Sequence, residues 1–326
     1  MQHPSDINVG VMFRRENAPE TLPDYARRAE ELGFRELWVV EDCFFGSGVA
    51  SAAVALACTS SIRVGLGIIP AVSRNAAFIA MEVATLARLY PGRFLPGIGH
   101  GVADWMRQIG AFPTSQLAAL GETAEVARRL LAGDEVTFQG KHVSLDQVKL
   151  VFPPQQVPPI LLGVRGPKSL VTSGRSADGT VLAELASPAY VRWAREQIKL
   201  GQMEAGREGA PHQVVVYMLC AVDDDGDAAR DRLRPLIADL LSYGQGDYVR
   251  PLGIEGDIQS LLADGGRENL RREMPDAWIE QMAVVGTASE CAASIRRLVE
   301  AGADSVVLVP EQHSVEGLDA IATILP

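Results

Sequence analysis

Apolar and polar residues alternate along this chain in blocks, not singly. Apolar β-type runs at 7–14, 36–42, 62–69, 94–101, 159–165, 180–185, 214–222 and 305–311 hold little polar alternation, as in LWVV, ILLGV, VVVYMLCAV and SVVLV. Strands covered on both faces have this character, and a parallel sheet under helices supplies that setting. Between the runs, helical segments are predicted at 21–32, 47–59, 76–89, 115–132, 167–177, 188–205, 227–243 and 288–301. The first has Pro23 near its start and Gly33 just past its end. The pairs Leu32-Gly33, Ala132-Gly133 and Ala301-Gly302 repeat that stop signal before a new strand. Helix, glycine, strand is the punctuation of recurring βα units.

Eight strands, each followed by a helix, predict an α/β fold: a single (β/α)8 TIM barrel, with 1–326 as one domain. The competing architecture is a doubly wound open sheet with an added domain. An alternation that never breaks, with no linker, favours the barrel. Two insertions interrupt it. The first, at about 136–148 (VTFQGKHVSLDQV), reads as a hairpin turned at Gln139-Gly140. The second, at about 245–283, is Gly-rich and charged and follows the seventh strand and its helix. Insertions of that length in compact domains are often functional, and this one is placed to cover a site mouth.

Composition narrows the function. Apolar residues make up 47% and charged residues 22%, which excludes a disordered or fibrous chain. Thirty Lys and Arg against 41 Asp and Glu give a net charge of −11, so a nucleic-acid partner is not expected. Cys43, Cys58, Cys220 and Cys291 form no CxxC pair, which suits a reducing compartment. There is no charged start followed by an apolar stretch, and no run nears the ~20 apolar residues of a membrane span. The expectation is a cytoplasmic protein with a small-molecule substrate and no membrane partner.

In a barrel, catalytic residues sit at the C-terminal ends of strands. Those ends read Glu41-Asp42 for strand two, Gly67-Ile68-Ile69-Pro70 for strand three and Gly97-Ile98-Gly99-His100-Gly101 for strand four. Strand five ends in Gly163-Val164-Arg165-Gly166-Pro167-Lys168, strand six near Glu184, and strand eight in Pro310-Glu311-Gln312-His313. The glycines would let a flat ligand or a phosphate approach the backbone. Gly166-Pro167 opens a helix whose N–H groups, with Arg165 and Lys168, would attract an anion. His3, His100, His142, His212 and His313 are dispersed, so no metal site is expected. No acyl-transfer serine elbow and no phosphate loop occur. Such a barrel suits an organic cofactor that carries the chemistry itself.

The segments ELGFRELWVVED at 31–42, SIRVGLGIIPAVSRNAAFIAMEVATLARLYPGRFLPGIGHG at 61–101, PPILLGVRGPKSLVTSGRSADGTVL at 158–182 and VVGTASECAASIRRLVEAGADSVVLVP at 284–310 carry a family resemblance. Their order resembles the bacterial luciferase-like superfamily. The coenzyme F420-dependent branch, which includes methylenetetrahydromethanopterin reductase, is the most similar. The resemblance implies a deazaflavin across the barrel mouth and hydride transfer to or from a small organic substrate. FMN with monooxygenase activity is the alternative, and a non-catalytic flavin-binding relative the second.

The resemblance also implies roles. A non-prolyl cis peptide behind the ring falls at Gly67–Ile68, or at Leu66–Gly67 in the other register, with Ile69 beside it. Gly99, His100 and Gly101 fall beside the ring and its side chain. Gly163, Val164, Arg165, Gly166, Pro167 and Lys168 fall along the phosphate-bearing tail. Glu41 and Asp42 stand where relatives carry an acidic residue followed by histidine. Asp42 replaces that histidine, so Glu41, Asp42 and His100 are the candidate proton-handling residues, with Glu184 and Glu311 as further candidates facing the pocket. Pairing through helices near strands two and three is common in the superfamily. The small residues of SAAVALACTSS at 51–61 suit it, so a homodimer is expected.

Overall fold

The structure, a computed structural model, describes residues 7–243, 246–312 and 314–325. His3, His313 and the first residue of the second insertion lie outside the described residues. Eleven strands occur among the described residues. They are β1 (Asn8–Met12), β2 (Glu36–Val39), β3 (Arg63–Pro70), β4 (Phe94–Gly99), β5 (Val136–Gln139), β6 (Ser144–Val148), β7 (Leu161–Gly163), β8 (Gly179–Leu182), β9 (Gln213–Val222), β10 (Ala283–Gly286) and β11 (Ser305–Pro310).

The parallel order β1-β2-β3-β4-β7-β8-β9-β11 closes back on β1, so the eight runs read from the sequence form the (β/α)8 barrel. Strand interiors and helix faces share one continuous apolar core.

The connecting helices are α1 (Leu22–Glu31), α2 (Gly48–Cys58), α3 (Ala76–Leu89), α4 (Ala103–Gln108), α5 (Gln116–Leu131), α6 (Pro167–Ser176), α7 (Pro188–Glu204) and α8 (Gly226–Ser242). Side chains of Ser47, Asn75, Ser115, Ser187 and Asp225 accept from first-turn N–H groups and fix where α2, α3, α5, α7 and α8 begin. Gly33, Gly133 and Gly302, the predicted stops, all have positive φ.

The floor of the barrel holds a carboxylate that is fully buried. Glu36 accepts from Trp38 Nε1 at 2.8 Å and Ser305 Oγ at 2.8 Å, and it pairs with Arg63. Its charge is matched where it stands, as burial requires.

Both insertions hold regular structure among their described residues. The first is the antiparallel hairpin β5–β6, turned at 140–143. The second is helical, unlike the loop its glycines suggest. It contains α9 (Gly246–Val249), α10 (Glu255–Glu273), broken at Gly265-Gly266, and α11 (Asp276–Met282). It returns through β10, a strand the sequence reading did not separate from the insertion. β9 is long enough to pair β8 along Gln213–Val216 and β10 along Leu219–Val222. α12 (Ala288–Glu300) follows with a Thr287–Glu290 capping box, and α13 (Gly317–Ala322) closes the chain. No helix among the described residues is long and apolar enough to cross a membrane.

Candidate active site

The end of β3 shapes the mouth. The Gly67–Ile68 peptide is cis, and the β3–β4 register shifts between Leu66 and Ile69. The Ile68 side chain lies across the neighbouring strands. A Cβ on Gly99 would stand 2.7 Å from Ile68 Cγ1, and one on Gly163 would stand 2.5 Å from Ile68 Cγ2. A Cβ on Gly97 would press the Leu66 carbonyl at 2.6 Å. These glycines were expected to open the backbone to a ligand. They first make room for the bulge.

Gly67 is bare for another reason, because a Cβ there would meet the Tyr217 hydroxyl at 1.9 Å. Tyr217 stands edge-on to Trp38, centroids 5.5 Å apart, and its hydroxyl is buried without a partner. Gly67 and Ile68 remain half-buried and face the mouth, whereas Ile69 is fully buried in the core.

The segment after β7 forms a second wall. Val164 is buried, and Arg165 and Lys168 are exposed. The Arg165 carbonyl accepts from Tyr190 Oη at 2.6 Å, which fixes the turn. Gly166 is the N-cap of α6 in extended conformation and offers no side chain to that helix end. The first-turn N–H groups are left without a side-chain cap, a setting that suits an anion. Tyr248 of α9 packs on Tyr190 at 4.5 Å, so the second insertion does reach this side of the mouth.

His100 bridges the two walls, its Nε2 lying 3.1 Å from Ser169 Oγ in the first turn of α6. Burial lowers its pKa, with the Gln116 backbone offsetting part of the effect, so the ring is neutral near pH 7. Gly101, with φ +70, turns the chain between Pro70 and Met106.

The opposite wall is charged. Glu41 is committed on both oxygens, accepting from Gly48 N–H at 3.0 Å and pairing with Arg74 at 2.6 Å. It therefore anchors the start of α2. Asp42 faces the mouth instead and pairs with Arg15 Nη1 at 2.9 Å. Burial pushes the Asp42 carboxyl up, and Arg15 pulls it back.

Arg15 also lies over the rings of Phe45 at 5.0 Å and Trp105 at 5.8 Å, so it spans from the end of β1 to α4. Asp42, Arg14, Arg15 and Glu16 separate two adjoining cavities of about 250 and about 220 Å3. The second also holds Glu184. Arg14-Arg15-Glu16, at the end of strand one, was not among the expected site residues, although it directly follows an apolar run. Glu311 is taken by Arg232 at 2.5 Å. The described residues contain no cluster fit to hold a metal ion.

A parallel barrel with its charged groups and glycine turns gathered at one rim is the build of a barrel enzyme. This chain belongs to the luciferase-like monooxygenase family, whose pattern it matches over residues 3–305. It is similar to the 5,10-methylenetetrahydromethanopterin reductase of Methanolobus tindarius, at 28% identity over 92% of this chain and 93% of the relative. It is 26% identical to the F420-dependent glucose-6-phosphate dehydrogenase of Kineococcus radiotolerans, over 92% and 90% of the two chains. The solved coenzyme F420-dependent tetrahydromethanopterin reductase of Methanopyrus kandleri superposes with a TM-score of 0.83, over 97% of each chain at 22% identity. That last likeness speaks for the fold.

Proposed function

We propose that this protein is a coenzyme F420-dependent oxidoreductase that moves a hydride between the deazaflavin and a small organic substrate. The observation that carries the reading is the Gly67–Ile68 bulge. It is seated in glycines of two other strands and half-open to the mouth, opposite an uncapped helix end flanked by Arg165 and Lys168. A flat ring and an anionic tail fit those two features. A relative named as F420-dependent, matched over nine-tenths of both chains, favours the deazaflavin over FMN.

In this reading Gly67 and Ile68 back the ring, with Ile69 anchoring them from the core. Gly99, His100 and Gly101 flank it. Gly163, Val164, Arg165, Gly166, Pro167 and Lys168 hold the tail. When bound, the cofactor supplies or accepts a hydride at its central ring carbon. The chain's part is to hold the acceptor against the exposed face, exclude water and manage a proton. Asp42 and the neutral His100 border the ring, while Glu41 positions α2. Two copies pair through the outer faces of α2 and α3.

Titration with coenzyme F420 and with FMN, followed by fluorescence, tests the reading. F420 binds more tightly, and Lys168→Ala with Arg165→Ala weakens it about tenfold or more, more so at low salt. Preferential FMN binding with oxygen uptake supports a monooxygenase instead. Binding of neither cofactor leaves a non-catalytic relative.

A further inference from the structure

We propose that Glu184 is the catalytic acid of this site, delivering a proton to a neutral substrate whose polarised C=O or C=N carbon takes the hydride. This inference rests on the hydride-transfer reading above and adds a residue and a substrate class to it.

Thr180 of β8 bonds Ser173 of α6 at 2.8 Å, so it points away from the barrel axis. Strict alternation would send residue 184 outward too. The chain instead leaves the strand after Leu182, and Glu184 turns into the mouth. The turn is completed by Leu185, a buried non-glycine residue at φ +73. A side chain in that region is strained and persists where the surroundings impose it, often at functional sites. The Leu185 carbonyl is held by Ser187 N–H at 2.9 Å, and Ser187 caps α7.

Glu184 then lines a cavity of about 220 Å3 whose other walls include Met12, Val40, Leu219 and Leu240. Among the described residues its carboxyl meets no side-chain donor. The charged groups facing it are Arg14, Arg15 and Asp42, with Tyr217 of β9 and Tyr248 of α9 nearby. Arg15 is engaged by Asp42 and Glu16, and Arg14 by Glu16 and the Pro310 carbonyl. The cations of this wall are therefore already matched, and an anionic substrate would meet the three carboxyls. Burial pushes the Glu184 carboxyl up, its own backbone N–H offsets part of this, Asp42 pushes it further, and Arg14 and Arg15 pull it back. Asp42 is ion-paired to Arg15 and Glu184 is not, so the two carboxyls stand in unlike surroundings, the arrangement that separates acid from base.

The step balances. The substrate carbon gains the hydride and its π pair moves to the heteroatom. The Glu184 O–H breaks to protonate that atom, and the carboxylate left behind regains a proton from water.

The test has two arms. The first labels glutamate carboxyl carbons with 13C and titrates the cofactor-free chain by NMR. One resonance, missing from Glu184→Gln, titrates above the ordinary glutamate range and moves down in Asp42→Asn. Ordinary titration of that resonance overturns the proposal. The second arm loads the protein with reduced F420 and offers cyclohexanone and 1-pyrroline as probes. Wild-type kcat/KM falls as pH rises through the Glu184 titration. Glu184→Gln lacks that limb, keeps F420 affinity and loses about 10²–10⁴ in kcat/KM, while Glu184→Asp recovers part of the rate. A Gln variant that keeps rate and limb overturns the role, and turnover of neither probe overturns the substrate class. Failure of the wild type to bind F420 overturns the hydride reading itself, whereas an ionised Glu184 overturns this role alone.

Discussion

Ile68 is the side chain around which the mouth is arranged, and glycines on two other strands give it space. Gly163→Ala would set a methyl 2.5 Å from Ile68 Cγ2, with Gly99 already closing the other side. The isoleucine would have to shift to admit it, so urea unfolding should show a loss of about 1–3 kcal/mol. Coenzyme F420 affinity should fall with it. Adding Ile68→Ala removes the clashing branch and should return most of the stability, which a double-mutant cycle reads directly. An equally stable Gly163→Ala chain would mean that the bulge is not held by its neighbours. The glycines themselves were legible as a pattern. Their immediate purpose was not, because a side chain of β3 lying across β4 and β7 is a tertiary fact with no local signature. For the same reason Glu41 and Asp42 looked equivalent, yet one anchors α2 and the other faces the cavity.

At the level of elements, the strands were readable because each is a compact apolar run, and the helices because Ser, Asn, Asp and Pro open them and Gly closes them. β10 escaped notice because its four residues, AVVG, continue directly from α11 and add to an edge that only the length of β9 exposes. A link between elements at the barrel floor carries a pH prediction. His212 precedes β9 and bonds Thr180 of β8 at 2.8 Å. Burial, then Arg195 and Arg207, lowers its pKa to about 4. Above the unfolded value of 6.5 both states are neutral and nothing is gained or lost. As pH falls below that value, the unfolded chain takes up the proton and the folded chain does not, so stability declines until the folded pKa is reached. Between about pH 7 and about pH 5 the loss should be ~2 kcal/mol. Glu30 acts in another window. Burial opposes its ionisation, but the N–H groups of Ile62, Ser61 and Ser60 hold it down to about 2, so its contribution is lost only below the ordinary carboxylate range. Denaturant melts at several pH values should show the first decline vanish in His212→Asn and the second remain.

On the scale of the whole molecule, the net charge of −11 opposes both of the associations proposed. An anionic cofactor tail must be met locally, by Lys168, Arg165 and the end of α6. A second copy must be met by apolar surface, since two negative chains repel. The outer faces of α2 and α3 have that character. No charged residue occurs in Gly48–Cys58, and Ala50, Val54 and Ala57 form its exposed stripe. Beside it Phe78 is 59% exposed and Met81 51%, unusual for side chains of that size on a surface helix. A dimer held this way, between chains of equal sign, should tighten as salt screens the repulsion, the reverse of an ion-paired interface. Sedimentation should give twice the 35.0 kDa chain mass, with dissociation falling as ionic strength rises. Phe78→Asp with Met81→Asp adds two more negative charges at the contact of each copy and should yield monomers that keep the barrel's far-ultraviolet spectrum. A wild-type monomer at micromolar concentration would sink the pairing. A dimer weakened by salt would move the interface to a charged face elsewhere on the barrel.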